Sequence, residues 1–305
     1  MTELKVKQEM YPQAWSEFFL RSHENFAEKV RKGKVDAPVQ TLEYGYSGGN
    51  PYGVGASSLT KEVRNWWYGR KAYPKSPTPA DYTYTAEQGR MMEIPAVFAL
   101  REMGFKVETQ VEAKGPNYGG FADGILYEPL TGRPPCLLEL KHLGRIRYLN
   151  MFWKPLSKEF EDYFWQSQAY MCALDLQSTL FVITSQDASS VRTELYKKSK
   201  PTKKEIEYAE KNELPPPVPP PLPNVKAFAF KIGRLEGAEK YIMARAEGMM
   251  KTLEWDTPPH READINEHWL CEPAFCPWRS ICLTAGKEGG IIAQMPQVEV
   301  EQIYL

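Results

Sequence analysis

The stretch from Gly120 to Lys141, GFADGILYEPLTGRPPCLLELK, has the pattern of two β-strands joined by a turn. Side chains alternate between the two faces of a strand, so Glu139 and Lys141 share one face while Leu138 and Leu140 share the other. A carboxylate and an ammonium group therefore lie side by side on the second strand. We expect this hairpin to be the centre of the fold.

The first strand of the hairpin shows the same period-two pattern over residues 121–127 and includes Asp123. The turn residues TGRPP at 131–135 fold the strands back on each other, which places Asp123 beside Glu139. Neighbouring carboxylates repel, a hard divalent cation such as magnesium relieves that repulsion, and a nearby lysine suits a phosphate substrate. The alternative is that Glu139 and Lys141 form the solvated face of an ordinary hairpin, the commoner meaning of an acid-x-lysine triplet by itself.

Composition limits the partners of the protein. The 305 residues include 38 basic and 39 acidic side chains, a net charge of −1, so affinity for nucleic acid must come from a local patch. No run of eighteen apolar residues is present and the N-terminal segment lacks the layout of a secretion signal. The sequence therefore predicts a cytoplasmic protein, in the host cytoplasm if it is phage-encoded, with no membrane partner.

Periodicity predicts a mixed α/β core. Besides the hairpin, strands are expected over 105–113, 179–184, 191–196 and 225–232, and helices over 12–34, 58–68, 86–103, 159–174 and 234–255. Pro95 lies inside the third of these helices, so the regular helix is expected either to begin near Met92 or to bend beside Glu93. The order of elements indicates a central mixed β-sheet flanked by helices, with the acidic residues at its centre.

Three regions flank or interrupt this core. Residues 1–80 are predicted to be a helical and loop region packed on a core that spans 81–285, and residues 286–305 a peripheral tail. Residues 197–224 form an insertion that is basic and then proline-rich, and we expect a solvated excursion whose lysines could also follow a phosphate backbone. Residues 64–71 mix aromatic and basic side chains, as nucleic-acid-binding surfaces do, but packing of the tryptophans is the favoured interpretation.

Four motifs follow one another along the chain: GRMMEIPAVFALREMGF (89–105), GFADGIL (120–126), CLLELK (136–141) and YFWQSQAYMCAL (163–174). In this order they resemble the PD-(D/E)XK nuclease superfamily, in particular its RecB-like and lambda-exonuclease-like branches. The resemblance covers about residues 57–282 and implies a restriction-endonuclease-like core. It also makes the solvated-hairpin interpretation the less favoured one.

The resemblance implies a role for each motif. Asp123 and Glu139, with Glu93 of a G-x-x-x-E motif and the carbonyl of Leu140, would hold one or two magnesium or manganese ions. Lys141 would orient the attacking water or balance charge in the transition state.

The helix motif Q-x-x-x-Y is matched by Gln166 and Tyr170. Gln166 would position the nucleophile or the backbone of the substrate, and Tyr170 is expected to pack. His142 is excluded because its side chain is predicted to point away from the face of Lys141.

Three of the five cysteines, Cys271, Cys276 and Cys282, crowd together, which favours a metal site over disulfides. The segment CPWRSIC resembles the cysteine cluster of AddB-type and CRISPR-associated RecB-like nucleases that carry a 4Fe–4S centre. Those proteins have a further cysteine in an SSL-x-x-C-x-R segment, where SSLTKEVR (57–64) has Glu62 instead.

Three interpretations of the cysteines stay open: an iron–sulfur cluster, a zinc site, and packed cysteines without metal. An iron–sulfur cluster needs an unusual fourth ligand, for which the candidates are Glu62, His268, Cys136 and Cys172. In each case the predicted role of the segment at 269–282 is structural.

These observations predict a metal-dependent DNA nuclease, more specifically an exonuclease or end-processing enzyme in recombination, repair or phage DNA metabolism. Its expected partners are single- or double-stranded DNA and a recombinase, helicase or single-strand-binding protein. The alternative is a non-catalytic nucleic-acid-binding subunit that retains the nuclease fold. RNA cleavage is a third possibility.

Overall fold

The computed structural model describes residues 4–33, 53–76, 80–128, 132–156, 160–185, 188–218, 226–262 and 276–304. The strands are β1 (Lys5–Met10), β2 (Val54–Gly55), β3 (Lys106–Gly115), β4 (Tyr118–Glu128), β5 (Arg133–Leu143), β6 (Ser178–Ser185), β7 (Ala227–Gly233) and β8 (Glu299–Tyr304). The α-helices are α1 (Gln13–Arg31), α2 (Val63–Arg70), α3 (Ala80–Glu102), α4 (Arg145–Trp153), α5 (Glu161–Leu174), α6 (Ala188–Ser199), α7 (Lys203–Lys211), α8 (Ala238–Lys251) and α9 (Arg279–Thr284).

The strands form one mixed sheet in the order β2-β4-β5-β6-β7-β1-β8, with β3 paired to β4. The hairpin strands β4 and β5 are antiparallel, whereas β5 and β6 are parallel from Leu137–Thr179 to Leu143–Ser185. This confirms the predicted α/β fold with a central mixed sheet flanked by helices. Because β5 and β6 run in the same direction, their carboxyl ends lie at the same edge of the sheet. On β5 this end is Leu143, two residues after Lys141.

Each face of the sheet is covered by helices, which gives two cores. The α5-side core contains Leu137 of β5 together with Phe164 of α5, and the α3-side core contains Leu138 and Leu140 of β5 together with Leu100 of α3. The alternation predicted for CLLELK is therefore confirmed. It follows that Glu139 and Lys141 are on the side of the sheet that faces α5.

The strand predicted over residues 191–196 is wrong, since these residues lie in α6. Leu195 is buried in the α5-side core while the adjacent Tyr196 and the lysines after it are exposed, a pattern that one face of a helix satisfies. Part of the expected 197–224 excursion is also helical. Helix α7 begins with a capping box in which Thr202 and Glu205 exchange hydrogen bonds.

Both ends of the described chain join the central sheet. Strand β8 pairs along its length with β1, and β1 pairs with β7, so residues 286–305 are not only a peripheral tail and residues 1–80 not only helix and loop. The apolar pattern of β1 is weak, because the buried side chain between Val6 and Met10 is the polar Gln8. The Oε1 atom of Gln8 accepts a hydrogen bond from the Leu156 N–H. In the described ranges, no helix combines the length and apolar character needed to cross a membrane.

Candidate active site

Asp123 and Glu139 lie where β4 and β5 stop pairing. The paired positions end at Gly124 and Leu138, and the next residues on the two strands are the two acids. Instead of a backbone pair, the Asp123 side chain accepts a hydrogen bond from the Leu140 N–H, with Oδ2 and N 2.7 Å apart. The two carboxylates are thus neighbours, as predicted. The Asp123 carboxylate takes the place of a backbone carbonyl as the acceptor of a hydrogen bond between the strands.

The alternation of β4 changes phase at Asp123. Ala122 and Ile125 both pack into the α5-side core although they are three residues apart, and Leu126 packs into the α3-side core. Opposite Asp123 in β3 is Gln110, whose φ of 53° lies in the left-handed region that non-glycine residues seldom adopt. The uniform alternation predicted for residues 121–127 is therefore wrong. The irregularity lies at Asp123, which contacts Leu140 and Lys141 of β5.

Lys141 lies between the two acids. Its Nζ is 2.6 Å from Glu139 Oε2 and 3.5 Å from Asp123 Oδ2. Burial of the ammonium alone would lower the pKa of Lys141, but Asp123 and Glu139 together raise this pKa well above its ordinary value. Lys141 is therefore a cation held in place by both carboxylates.

Glu139 is 1% exposed, and its Oε1 has no hydrogen-bond partner among the described residues. Burial raises the pKa of Glu139 to about 7; Lys141 opposes this shift, while Asp123 and Glu93 add to it. Buried polar atoms are rarely left without a partner, so the Oε1 atom is a candidate ligand atom. The ligand that fits a carboxylate oxygen in an excess of negative charge is a cation.

Glu93 is carried by α3, which packs against β5. This helix begins at Ala80, so the first of the two alternatives given for Pro95, a helix start near Met92, is wrong. Pro95 lies in the helix interior at the cost of one intrahelical hydrogen bond. The charge of Glu93 acts on Glu139, which brings three acids and one lysine into one electrostatic unit.

Asp123 and Glu139 supply hard oxygen ligands of the kind that magnesium or manganese takes, and Glu93 adds negative charge to the same site. The Glu139 Oε1 atom, which has no hydrogen-bond partner among the described residues, is the candidate ligand atom. Within the described ranges, no three His, Cys, Asp or Glu side chains already converge as a complete ligand cluster, and Lys141 contacts two of the acids. A cation at this position would compete with the Lys141 ammonium for the carboxylates.

Gln166 and Tyr170 lie one turn apart on α5 and face the same site. The Gln166 Nε2 donates to the Tyr170 hydroxyl at 3.4 Å, and the negative charge of Glu139 reaches Tyr170, whose pKa is raised mainly by burial. The ring of Tyr170 packs over Gly120, where an added Cβ would be 2.9 Å from the hydroxyl oxygen. Tyr170 is thus packed, as predicted, and it also holds Gln166.

His142 lies on the other face of β5. Its Nδ1 is 2.8 Å from Thr184 Oγ1 on the neighbouring strand, and burial lowers the pKa of this imidazole. Its exclusion from the site is consistent with this position.

Two further residues adjoin the site. The ring of Tyr163 on α5 has the Lys141 ammonium 5.2 Å from its centroid and the Arg147 guanidinium of α4 at 5.4 Å. Tyr163 stands three residues before Gln166, so the helical spacing could have identified it. Arg147 lies in a stretch for which no regular element was predicted, and no local signal marks it.

Cys276 and Cys282 are buried in an aromatic cluster around Trp67 and Trp278. The Cys276 thiol donates to Asn65 Oδ1 at 3.3 Å, and burial raises its pKa. Cys271 and His268 lie outside the described residues. Two of the three cysteines predicted as ligands thus lie in one cluster, whereas an iron–sulfur cluster or a zinc site needs four ligands.

The other candidate ligands have different environments. Cys136 packs against the α3-side core and Cys172 against the α5-side core, and burial raises the pKa of each thiol to about 11. Glu62 is buried and accepts a hydrogen bond from the backbone N–H of Glu262.

Arg64 holds the cysteine segment to α2. Its guanidinium is fully buried and donates to Cys282 Sγ and to backbone carbonyls; the latter belong to Pro259, Gly286, Lys287 and Glu288. Trp67 is equally buried, so packing explains the core of the aromatic and basic segment at 64–71.

Comparison with known proteins gives similarity of fold only. No protein-family model matches the chain, and no curated protein matches it significantly. The chain is similar to the alkaline exonuclease LHK-Exo from Laribacter hongkongensis, with 17% identity, a TM-score of 0.40 and coverage of 66% of this chain and 88% of that chain. LHK-Exo in complex with dAMP gives a TM-score of 0.43 at the same identity and coverage. SSO0001 gives 12% identity, a TM-score of 0.41 and coverage of 88% and 96%.

Proposed function

We propose that the protein is a metal-dependent nuclease that hydrolyses phosphodiester bonds in DNA. The observation that carries this proposal is the Glu139 carboxylate, which is buried beside Asp123 and Lys141 and has one oxygen without a partner in the described part of the chain. A fold gains nothing in stability from such an arrangement, because burying a charge without full pairing is unfavourable. Perturbed, mutually coupled charged groups of this kind are typical of catalytic sites.

The chain supplies distinct groups to this reaction. Asp123 and Glu139, with Glu93 and the carbonyl of Leu140, would hold one or two magnesium or manganese ions. When bound, the metal lowers the pKa of water and stabilises negative charge on the leaving oxygen. Lys141 orients the attacking water or balances the charge that develops on the phosphate, and Gln166, held by Tyr170, positions the nucleophile or the substrate backbone.

Cleavage assays on labelled single- and double-stranded DNA test the proposal. The wild-type protein is expected to cleave in magnesium or manganese, and the variants Asp123→Asn and Lys141→Met are expected not to. His142→Ala is the matched control, because this residue neighbours Lys141 on β5 but contacts Thr184 instead of the acids. Absence of cleavage on every DNA form in both metals would contradict the proposal and favour a non-catalytic nucleic-acid-binding subunit.

We further propose an exonuclease or end-processing role, which places the protein beside a recombinase, helicase or single-strand-binding protein that prepares or receives DNA ends. Linear DNA should be degraded while closed circular DNA of the same sequence survives. Cleavage of the circle would contradict this finer assignment, and preferred cleavage of RNA in direct competition would contradict the choice of DNA.

For the cysteine segment we propose a structural role that keeps the residues after Cys276 against α2. Protein purified without oxygen should be analysed for iron, zinc and visible absorbance. A broad absorbance band with bound iron supports the cluster, and a colourless protein with bound zinc supports a zinc site. Absence of both metals leaves the contacts of Arg64 as the means of attachment.

A further inference from the structure

Helices α6 and α7 are joined by residues 200–202, and this pair, which we call the α6–α7 hairpin, has a strong local positive charge. Its segment YKKSKPTKK, residues 196–204, contains five lysines and no acid, in a protein of net charge −1. All five lysines are exposed; they are Lys197, Lys198, Lys200, Lys203 and Lys204. The recorded ion pairs, Lys197 with Glu194 at 3.6 Å and Lys203 with Glu207 at 3.7 Å, are solvent-exposed and contribute little, so the hairpin keeps its positive potential.

Two exposed aromatic rings accompany the lysines. Tyr196 is 62% exposed, and the Lys200 ammonium lies 4.7 Å from the centroid of its ring. Tyr208 on α7 is 65% exposed. Aromatic rings set among ammonium groups suit nucleic-acid strands, whose bases stack on the rings while their phosphates pair with the cations.

The hairpin has regular structure on both sides of its turn. Leu195 of α6 is buried in the α5-side core, and Ala209 of α7 is buried as well. The Thr202–Glu205 capping box fixes the start of α7 directly after Pro201. The lysines therefore lie at the end of one helix, in the turn and at the start of the next helix.

The hairpin begins at the edge of the sheet where the active site lies. Strand β6 ends at Ser185 beside Leu143, two residues beyond Lys141, and α6 starts directly afterwards. Helix α4 packs against α6 and carries Arg147, which lies over the Tyr163 ring that also faces Lys141. Lys141 and Arg147 thus share the Tyr163 ring, and the helix that carries Arg147 packs against the first helix of the hairpin.

We propose that the α6–α7 hairpin binds a single-stranded segment of the nucleic-acid substrate outside the active site. A single strand fits because its unpaired bases can stack on Tyr196 and Tyr208, whereas the bases of a duplex are already stacked on one another. The description of this strand as substrate rests on the proposed nuclease function. The binding surface itself depends only on the charges and rings of the hairpin.

The test measures binding without catalysis, with a fluorescent oligothymidylate in the presence of EDTA. Replacing all five lysines by glutamine should weaken binding and reduce the slope of log K against log salt by about 2 to 3.5, since each phosphate contact on a single strand contributes about 0.7. The matched control replaces five exposed lysines on other elements and should keep the wild-type slope; these are Lys5, Lys7, Lys240, Lys251 and Lys287.

The tyrosines give an independent measurement. Tyr196→Ala with Tyr208→Ala should weaken binding of the single strand about 5-fold or more and leave binding of a blunt duplex unchanged. Equal salt slopes for the two lysine variants, or equal loss of duplex and single-strand binding in the tyrosine variant, would overturn the proposal. Because no metal is present, a protein that binds through the hairpin but never cleaves would refute the nuclease function and not this surface.

Discussion

The regions around Glu139 and Arg64 both contain a buried charged side chain, but the two side chains differ in how many of their hydrogen bonds are made. Arg64 is completely buried and donates to four backbone carbonyls and one sulfur. Glu139 is almost as buried, yet one of its oxygens lacks a partner among the described residues and two further acids repel it. A buried charged group whose hydrogen bonds are all made indicates a structural contact. A buried charged group with an unpartnered atom indicates a group that can bind a ligand.

Arg245 extends the structural pattern. It pairs with both oxygens of Glu262 and also donates to the carbonyls of Leu59, Lys61 and Ala293. Glu62, at the position where the resemblance suggested a cysteine, accepts from the N–H of the same Glu262. Glu262 is thus joined to Arg245 and to the start of α2 by hydrogen bonds.

The largest effect is expected from Glu139→Gln. Loss of the carboxylate charge should reduce DNA cleavage by about 10³-fold or more, while the unfolding temperature changes little, because burial already disfavours the charged form of Glu139 and a glutamine oxygen can still accept from Lys141. Cleavage rates and thermal unfolding of the same preparation measure both. A variant that loses activity only because it unfolds would place Glu139 with Arg64 as a structural residue.

The opposite result is expected from Arg64→Met. Several carbonyls lose their buried donor, so the free energy of unfolding should fall by about 3–5 kcal/mol. Arg70→Met on the same helix is the control, since Arg70 is exposed over Trp66 and should cost at most about 1 kcal/mol. Urea unfolding measures both values. If the two variants are equally stable, the contacts of Arg64 do not hold the segment.

Two glutamines on α5 show the same difference between a site residue and a structural residue, with smaller expected effects. Gln166 bonds Tyr170 beside the acids, whereas Gln168 is fully buried and bonds the Gly233 carbonyl and the Leu235 N–H. Gln166→Ala should lower the cleavage rate about 10- to 100-fold without loss of stability. Gln168→Ala should cost about 1–3 kcal/mol of stability and leave the rate of the folded enzyme unchanged. Exchanged phenotypes would show that the wrong glutamine has been assigned to the site.

The smallest effect is expected from Tyr170→Phe. It removes only the 3.4 Å hydrogen bond to Gln166 and keeps the ring over Gly120, so the cleavage rate should fall about 2- to 10-fold with unchanged stability. Single-turnover cleavage provides the rate. A loss as large as that of Glu139→Gln would mean that the Tyr170 hydroxyl itself contacts the reacting groups.

Much of the fold could be predicted because it depends on local periodicity. The alternation of CLLELK, the helix at 159–174 and the strand at 179–184 follow from neighbouring side chains that share a core face. The strand predicted over 191–196 was wrong because an apolar residue at Leu195 among polar ones fits both periods when the segment is short. Strands β1 and β8 carry too few apolar residues to be recognised.

By itself, the sequence determined that Glu139 and Lys141 share a face and that Gln166 and Tyr170 lie one helical turn apart, because backbone geometry sets these relations within a strand or a helix. Only the tertiary structure decided that β4 changes phase opposite Gln110, that one Glu139 oxygen has no partner among the residues the structure describes, and that Arg64 is a structural residue. Strand register, burial and loss of solvent arise between residues far apart in the chain, and no local pattern encodes them.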